Sequence, residues 1–283
     1  MGKFSGVLLV SDFDDTLYGY DMTVSQKNVD AIQSFIDQGG YFTVATGRAR
    51  PAFAPCANLA PINAPVILSN GSALYDFRAG ETVCETFLPD RVLQDLMELT
   101  FLVPQIGFEA YHGDDIYLHN PNAVTRAHLD RIGSEGAQLA IRDIPQPLSK
   151  VLIEHTQRAV LDQARQYILS RWGEHYEAIF SNQVLLELTR KGSSKGGMVL
   201  ELARRLGVSR EHIYCVGDNE NDIPMLAVSA VPFAPANSAP AVKEWGAVMV
   251  GSCDDSCIAE IIHILARRYG PAGSESSERN KVQ

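Results

Sequence analysis

Val7-Leu8-Leu9-Val10-Ser11-Asp12-Phe13-Asp14-Asp15-Thr16-Leu17 is the stretch that decides the fold. Its apolar run, Val7 to Val10, reads as a strand buried on both faces, the mark of a parallel sheet. The run ends in three carboxylates, Asp12, Asp14 and Asp15. Strand side chains alternate, so Asp12 and Asp14 share one direction and Phe13 takes the other. Carboxylates crowded at the end of a buried strand need a partner or a metal. An oxygen-only donor set suits Mg²⁺. In open parallel sheets ligands bind beyond the carboxyl ends of the strands, where these acids lie. Alone, Asp-x-Asp after an apolar run marks only a loop start. The rest of the chain decides between the two readings.

Working outward, residues 26–38 carry Val29, Ile32 and Ile36 on one helical face, with Ser25 as N-cap and Gly39-Gly40 as the stop. Tyr41 to Ala45 reads as a second buried strand ending in Thr46-Gly47-Arg48, and Val66 to Ser69 as a third ending in Asn70-Gly71. Strands alternating with helices imply a doubly wound parallel sheet. The rhythm changes between Tyr75 and Val184. A hairpin at 111–118 with Gly113-Asp114 at its turn, strands at 151–153 and 184–188 and a helix at 158–172 fit an inserted α+β unit. The βα rhythm returns with a helix from Lys195 to Leu206, a strand Ile213 to Val216, and Gly217-Asp218-Asn219-Glu220-Asn221-Asp222. The expected division is residues 1–74 and 190–269 for the sheet core, 75–189 for the insert, and 270–283 as a polar, disordered tail.

The 283 residues suffice for one large or two modest domains, and 46% apolar with 20% charged residues is ordinary for a globular protein. A formal net charge of −10 argues against nucleic acid or an anionic membrane as the main partner. No apolar run reaches the roughly 20 residues of a membrane span, and Asp12 interrupts the first one too early for a signal peptide. Five scattered cysteines, an odd count, fit reduced thiols in the cytoplasm.

The strand and helix ends thus bring together Asp12, Asp14, Thr46, Lys195, Asp218 and Asp222, an inventory suited to phosphoryl transfer. Asp-Phe-Asp-Asp-Thr-Leu at 12–17, Ala-Thr-Gly-Arg at 45–48, Ser-Asn-Gly at 69–71, Lys195 and Gly-Asp-Asn-Glu-Asn-Asp-Ile-Pro-Met-Leu at 217–226 resemble the haloacid dehalogenase superfamily. Within it they resemble the Cof-type (subclass IIB) phosphatases, which insert an α+β cap between the second and third motifs. The resemblance spans about residues 5–265 and implies an aspartyl-phosphate enzyme acting on a small phosphorylated metabolite. It makes Asp12 the nucleophile and Asp14 the general acid/base. Asp12, Asp218 and the backbone carbonyl of Asp14 become the Mg²⁺ ligands. Thr46, Gly47, Arg48, Asn70 and Lys195 contact phosphate or substrate, and Asn219, Asn221 and Asp222 support the site.

Arg48 on its own residues is equally a plain surface group. Asp15 stands where the resembling family has glycine, and the proline-rich 233–240 departs from its usual Met-x-Asn-Ala. Cap candidates for substrate contact are His112, Asp114, Asp115, Tyr117, His119 and His155, each more simply a solvated loop residue. Glu187, alternating with apolar neighbours, is expected to face solvent. A phosphomutase or phosphotransferase shares the same core, and a non-catalytic metabolite-binding module is the reading from another class.

Overall fold

The computed structural model describes residues 2–270. The tail expectation therefore falls, beyond Gly270, outside the described residues. The opening run forms β1 (Leu8–Asp12), buried throughout. Ser25 starts α1 (Gln26–Asp37) by accepting the Asn28 N–H at 3.2 Å. β2 (Tyr41–Ala45), α2 (Arg50–Phe53), β3 (Val66–Leu68), β4 (Ala73–Asp76) and β5 (Glu81–Glu85) follow. Then come α3 (Val92–Leu102), β6 (Gly107–His112), β7 (Asp115–His119), α4 (Ala123–Ile132), β8 (Ala137–Gln138), β9 (Lys150–Glu154), α5 (Arg158–Trp172), β10 (Tyr176–Phe180) and β11 (Leu185–Arg190). The chain closes with α6 (Lys195–Leu206), β12 (Ile213–Val216), α7 (Ile223–Leu226), β13 (Val231–Pro235), α8 (Pro240–Trp245), β14 (Val248–Val250) and α9 (Cys257–Arg268).

The first sheet runs β14-β13-β12-β1-β2-β3-β4-β5. It is parallel from β14 to β3 and ends in an antiparallel hairpin. Alternation along β1 sends Leu9 into the core with Phe35 and Ile261 of α1 and α9, and Leu8 and Val10 into the core with Val199 and Leu202 of α6. Apolar cover on both faces is what the doubly wound reading required. The hairpin is a departure. Residues from Tyr75 onward are expected in the insert, yet β4 pairs with β3 and β5 with β4, both in the first sheet. Glu81-Thr-Val-Cys-Glu85 is largely exposed and weakly patterned, so it carries no strand signal of its own.

The second sheet runs β10-β11-β9-β6-β7-β8. One face, with Phe108, Ala110, Val151, Ile153, Leu186 and Leu188, packs on α3 and α5. The opposite face carries Glu109, Tyr111, Lys150, Leu152, Glu154 and Glu187, and it looks toward the carboxyl end of the first sheet. Three elements on or beside it escaped the sequence reading, β8, β10 and α4. The start of α4 is set by a capping box: Asn122 Oδ1 accepts Val124 N–H at 2.8 Å, and Thr125 Oγ1 accepts Asn122 N–H at 3.0 Å.

Candidate active site

The carboxyl ends of β1, β2 and β12 meet the start of α6. Asp12 is the last residue of β1, and Asp218 lies two beyond the end of β12. Lys195 opens α6 because Ser194 caps it, accepting the Gly197 N–H at 3.1 Å. Two glycines let α6 come this close. A Cβ on Gly196 would sit 2.1 Å from the Pro224 carbonyl oxygen, and one on Gly71, whose φ is +97°, 2.1 Å from that of Ser194.

Lys195 is the centre of the buried network. Its Nζ donates to Asp12 Oδ1 at 2.5 Å and to Asp222 Oδ1 at 2.6 Å. Asp222 Oδ2 accepts the backbone N–H groups of Asp218 and Asn219 at 2.9 and 3.0 Å, which fixes the loop after β12. Burial and the neighbouring Asp222 push Asp12 up to about 7, against the pull of Lys195. Burial, Asp12 and Asp222 hold Asp218 well above the usual carboxylate range. Burial draws the Lys195 ammonium down, but the two aspartates outweigh it and leave it raised.

Asp12, Asp218 and Asp222 each offer an oxygen within 4.8 Å of the others. Asp222 spends both oxygens on Lys195 and the loop, so Asp12 and Asp218 keep the freer ones. Three carboxylates against one ammonium leave excess negative charge, which a divalent cation would relieve. All-oxygen donors fit a hard ion. The Asp14 side chain is not part of this group: Arg48 grips it with Nε on Oδ2 at 3.0 Å and Nη2 on Oδ1 at 2.7 Å. Arg48 is thus neither a free phosphate hook nor a surface residue. Its guanidinium also lies over the rings of Phe13 and Tyr18.

Thr46 is buried past β2, and its Oγ1 accepts the Arg48 N–H at 3.1 Å. Asn70 holds φ +54° and accepts from Asn221 Nδ2 at 3.0 Å, so it braces the loops under the site. Asn219 Oδ1 caps the short turn that carries Asp222. Asp15 stands at φ +60°, a left-handed backbone that glycine adopts freely. Asn237 Nδ2 secures it at the Asp15 carbonyl, at 2.7 Å.

The cleft above these groups is lined on the far side by Tyr111, His128, Arg131, Lys150, Asn182 and Glu187. None of the cap residues named from sequence is among them. His112 Nδ1 pairs with the Pro147 carbonyl at 2.8 Å, Asp114 with Arg50, and His119 stacks on Phe108. His155 Nδ1 accepts the Gln157 N–H at 3.0 Å, while Asp115 and Tyr117 lie on β7 away from the cleft. Glu187, expected in solvent, is 5% exposed and pairs with Lys150 at 3.2 Å. Tertiary packing explains the miss: Leu186 and Leu188 face the helices of this unit, and the face that carries Glu187 is covered by the first unit across the cleft. Arg131 and His128 sit on α4, the helix that went unread. Arg131 Nη2 approaches Asp14 at 3.6 Å and Asp15 at 3.7 Å.

A second buried cluster lies beside the cleft. Glu109 accepts from Tyr111 OH at 2.5 Å and meets His128 Nδ1 at 2.9 Å, and Glu154 accepts from Thr125. Burial raises Glu109, but His128 and the surrounding donors more than offset it and leave it lowered. Burial and the adjacent Glu109 push Glu154 up to about 9.

Comparison with known proteins agrees with this geometry. The family model for haloacid dehalogenase-like hydrolases matches residues 9–262. The 5-amino-6-(5-phospho-D-ribitylamino)uracil phosphatase YwtE of Bacillus subtilis is 26% identical, over 91% of this chain and 98% of its own. The pyridoxal phosphate phosphatase YbhA of Escherichia coli is 26% identical, over 90% and 97%. Among solved structures, the phosphatase BT1666 of Bacteroides thetaiotaomicron superposes with a TM-score of 0.79 at 20% identity, covering 94% of this chain and 96% of its own. Motifs, parallel sheet and matched family model together make this chain a Cof-type member of the haloacid dehalogenase-like hydrolase family, an enzyme of phosphomonoester hydrolysis.

Proposed function

We propose that the enzyme hydrolyses a small phosphorylated metabolite by way of an aspartyl-phosphate on Asp12, with Mg²⁺ as cofactor. One observation carries the reading: Lys195 bridges Asp12 and Asp222 at the sheet edge, with Asp14 and Asp218 on the same cleft. An Asp12 carboxylate oxygen attacks phosphorus, and the bond from phosphorus to the leaving-group oxygen breaks. Asp14 gives that oxygen its proton. Asp14 then takes a proton from the water that attacks phosphorus, releasing orthophosphate and restoring Asp12. Lys195 orients Asp12 and offsets charge on the transferred group. Asp12 and Asp218 would hold the cation, whose contribution is to neutralise phosphate oxygens. An incoming phosphate competes with Asp14 for Arg48 and Arg131, so its binding frees the general acid.

The unit built on the second sheet, from about residue 86 to 192, is assigned to substrate selection, since it supplies one wall of the cleft. The printed activities of the relatives, on a ribitylamino phosphate and on pyridoxal phosphate, support a small metabolite. Five unpaired cysteines support a reducing, cytoplasmic setting. Among the described residues no helix is long and apolar enough to cross a membrane. The deciding experiment is phosphate release from a panel of phosphomonoesters with Mg²⁺ and with chelator. Release that needs Mg²⁺ is expected. Equal release with chelator rejects the metal assignment, and none from any ester rejects hydrolysis.

A further inference from the structure

Glu187 is the cleft residue that the reaction above leaves without a task. It is buried on β11, lines the cleft and shares its charge with a single cation, Lys150. A buried ion pair rarely stabilises a fold more than apolar residues of the same volume. Its position on the wall opposite Asp12 and Asp14 calls for another explanation.

Lys150 is not available as an anion receptor. Its Nζ donates to the Gly47 carbonyl at 3.0 Å and to Glu187 Oε2 at 3.2 Å, and it lies 4.4 Å from the centre of the Tyr111 ring. The Tyr111 hydroxyl and His128 Nδ1 are both turned to Glu109. Arg131, beside Asp14 and Asp15, is taken up by the transferred phosphate itself in the reaction above and is not left for the leaving group. Asn182 Oδ1 accepts the Val184 N–H, and the charged group left on this wall is Glu187, whose Oε1 receives no hydrogen bond among the described residues. A carboxylate oxygen with open lone pairs accepts hydrogen bonds and repels anions.

We propose that Glu187, held in place by Lys150, is the leaving-group subsite, selecting phosphomonoesters whose leaving group presents hydroxyl donors and carries no second anionic group. The proposal rests on the phosphatase reading for its choice of ligand, and binding tests it separately from turnover. Calorimetry would compare ribose 5-phosphate, 3-phosphoglycerate and orthophosphate on an Asp12→Asn background, with and without Glu187→Gln. Glu187→Gln is expected to weaken ribose 5-phosphate about ten- to a hundred-fold, the range for a hydrogen bond to a charged group. Orthophosphate, which has no leaving group, keeps its affinity, and 3-phosphoglycerate gains. Since Glu187→Gln strands Lys150, the pair Lys150→Met with Glu187→Leu is measured alongside and shows the same loss for ribose 5-phosphate. Unchanged affinity for ribose 5-phosphate overturns the proposal. So does a parallel loss for orthophosphate, which makes Glu187 merely structural, and so does absence of ribose 5-phosphate binding in both backgrounds. Failure of the phosphatase reading shows elsewhere, as no release from p-nitrophenyl phosphate by the unaltered enzyme with Mg²⁺.

Discussion

Two buried polar clusters face each other across the cleft, and they are built on opposite principles. At the sheet edge, Asp12, Asp218 and Asp222 surround one lysine, and charge stays uncompensated. On the opposing face, Glu109 and Glu154 are supplied with donors from Tyr111, Thr125 and His128, and Lys150 is matched by Glu187. The first cluster is poised to take in a cation and a phosphate. The second is nearly self-contained and offers the cleft a shaped, acceptor-bearing wall. Unbalanced charge marks where bonds are made, and balanced charge marks where a ligand is sorted.

The largest expected effect tests the unbalanced side. Asp12→Asn should lower phosphate release from p-nitrophenyl phosphate by more than about a thousand-fold, with the circular dichroism spectrum unchanged, because no other oxygen replaces the nucleophile. Turnover within ten-fold of the unaltered enzyme would dissolve the distinction between the clusters. Next, Lys195→Ala strands two buried carboxylates. It should cost about 3–5 kcal/mol in urea unfolding without added metal, with part of the loss recovered as Mg²⁺ is added.

A smaller effect probes the balanced side through pH. Glu154 holds its proton up to about 9 in the folded chain and loses it much earlier when unfolded. Between those values the folded state binds more protons, so this group's contribution to stability falls as pH rises through the window. Glu154→Gln, which imitates the protonated form, should flatten that decline in melts taken from pH 5 to 9. A slope equal to that of the unaltered protein would show that the proton resides elsewhere in the cluster. The smallest change is expected from Arg50→Ala. Its pair with Asp114 joins the two units but is about half exposed on both sides, so its loss should shift stability by less than about 1 kcal/mol.

The same contrast explains how much could be read from sequence. Asp12, Lys195 and Asp218 are placed by backbone events that leave local marks: a buried run that stops, a Ser N-cap, a Gly-Asp turn. Each mark is visible within a few residues, and the parallel sheet brings them to one edge. Lys150 and Glu187 are placed by register. They meet because β9 and β11 pair antiparallel with Leu152 opposite Glu187, and nothing within either strand records that alignment. Arg131 depended on finding α4, whose signal is an asparagine cap ahead of a mixed, weakly amphipathic run. Thr46 and Asn70 lie just past β2 and β3, and their partners, Arg48 N–H and Asn221, are loop contacts no spacing rule predicts.

The two crossings between the units have a consequence of their own. Thr86, just past β5, and Ser193, just before α6, share a hydrogen bond between hydroxyls at 2.7 Å. The chain therefore leaves the first unit and returns to it at nearly one point. To the first unit, everything in between is a loop whose ends already touch, and closing such a loop costs little more as it lengthens. Chain termini that lie together are also what allows one domain to be set inside another. The substrate wall is in effect a cassette. Exchanging it at Thr86 and Ser193 should retune what the enzyme accepts and leave the folding of its catalytic sheet intact.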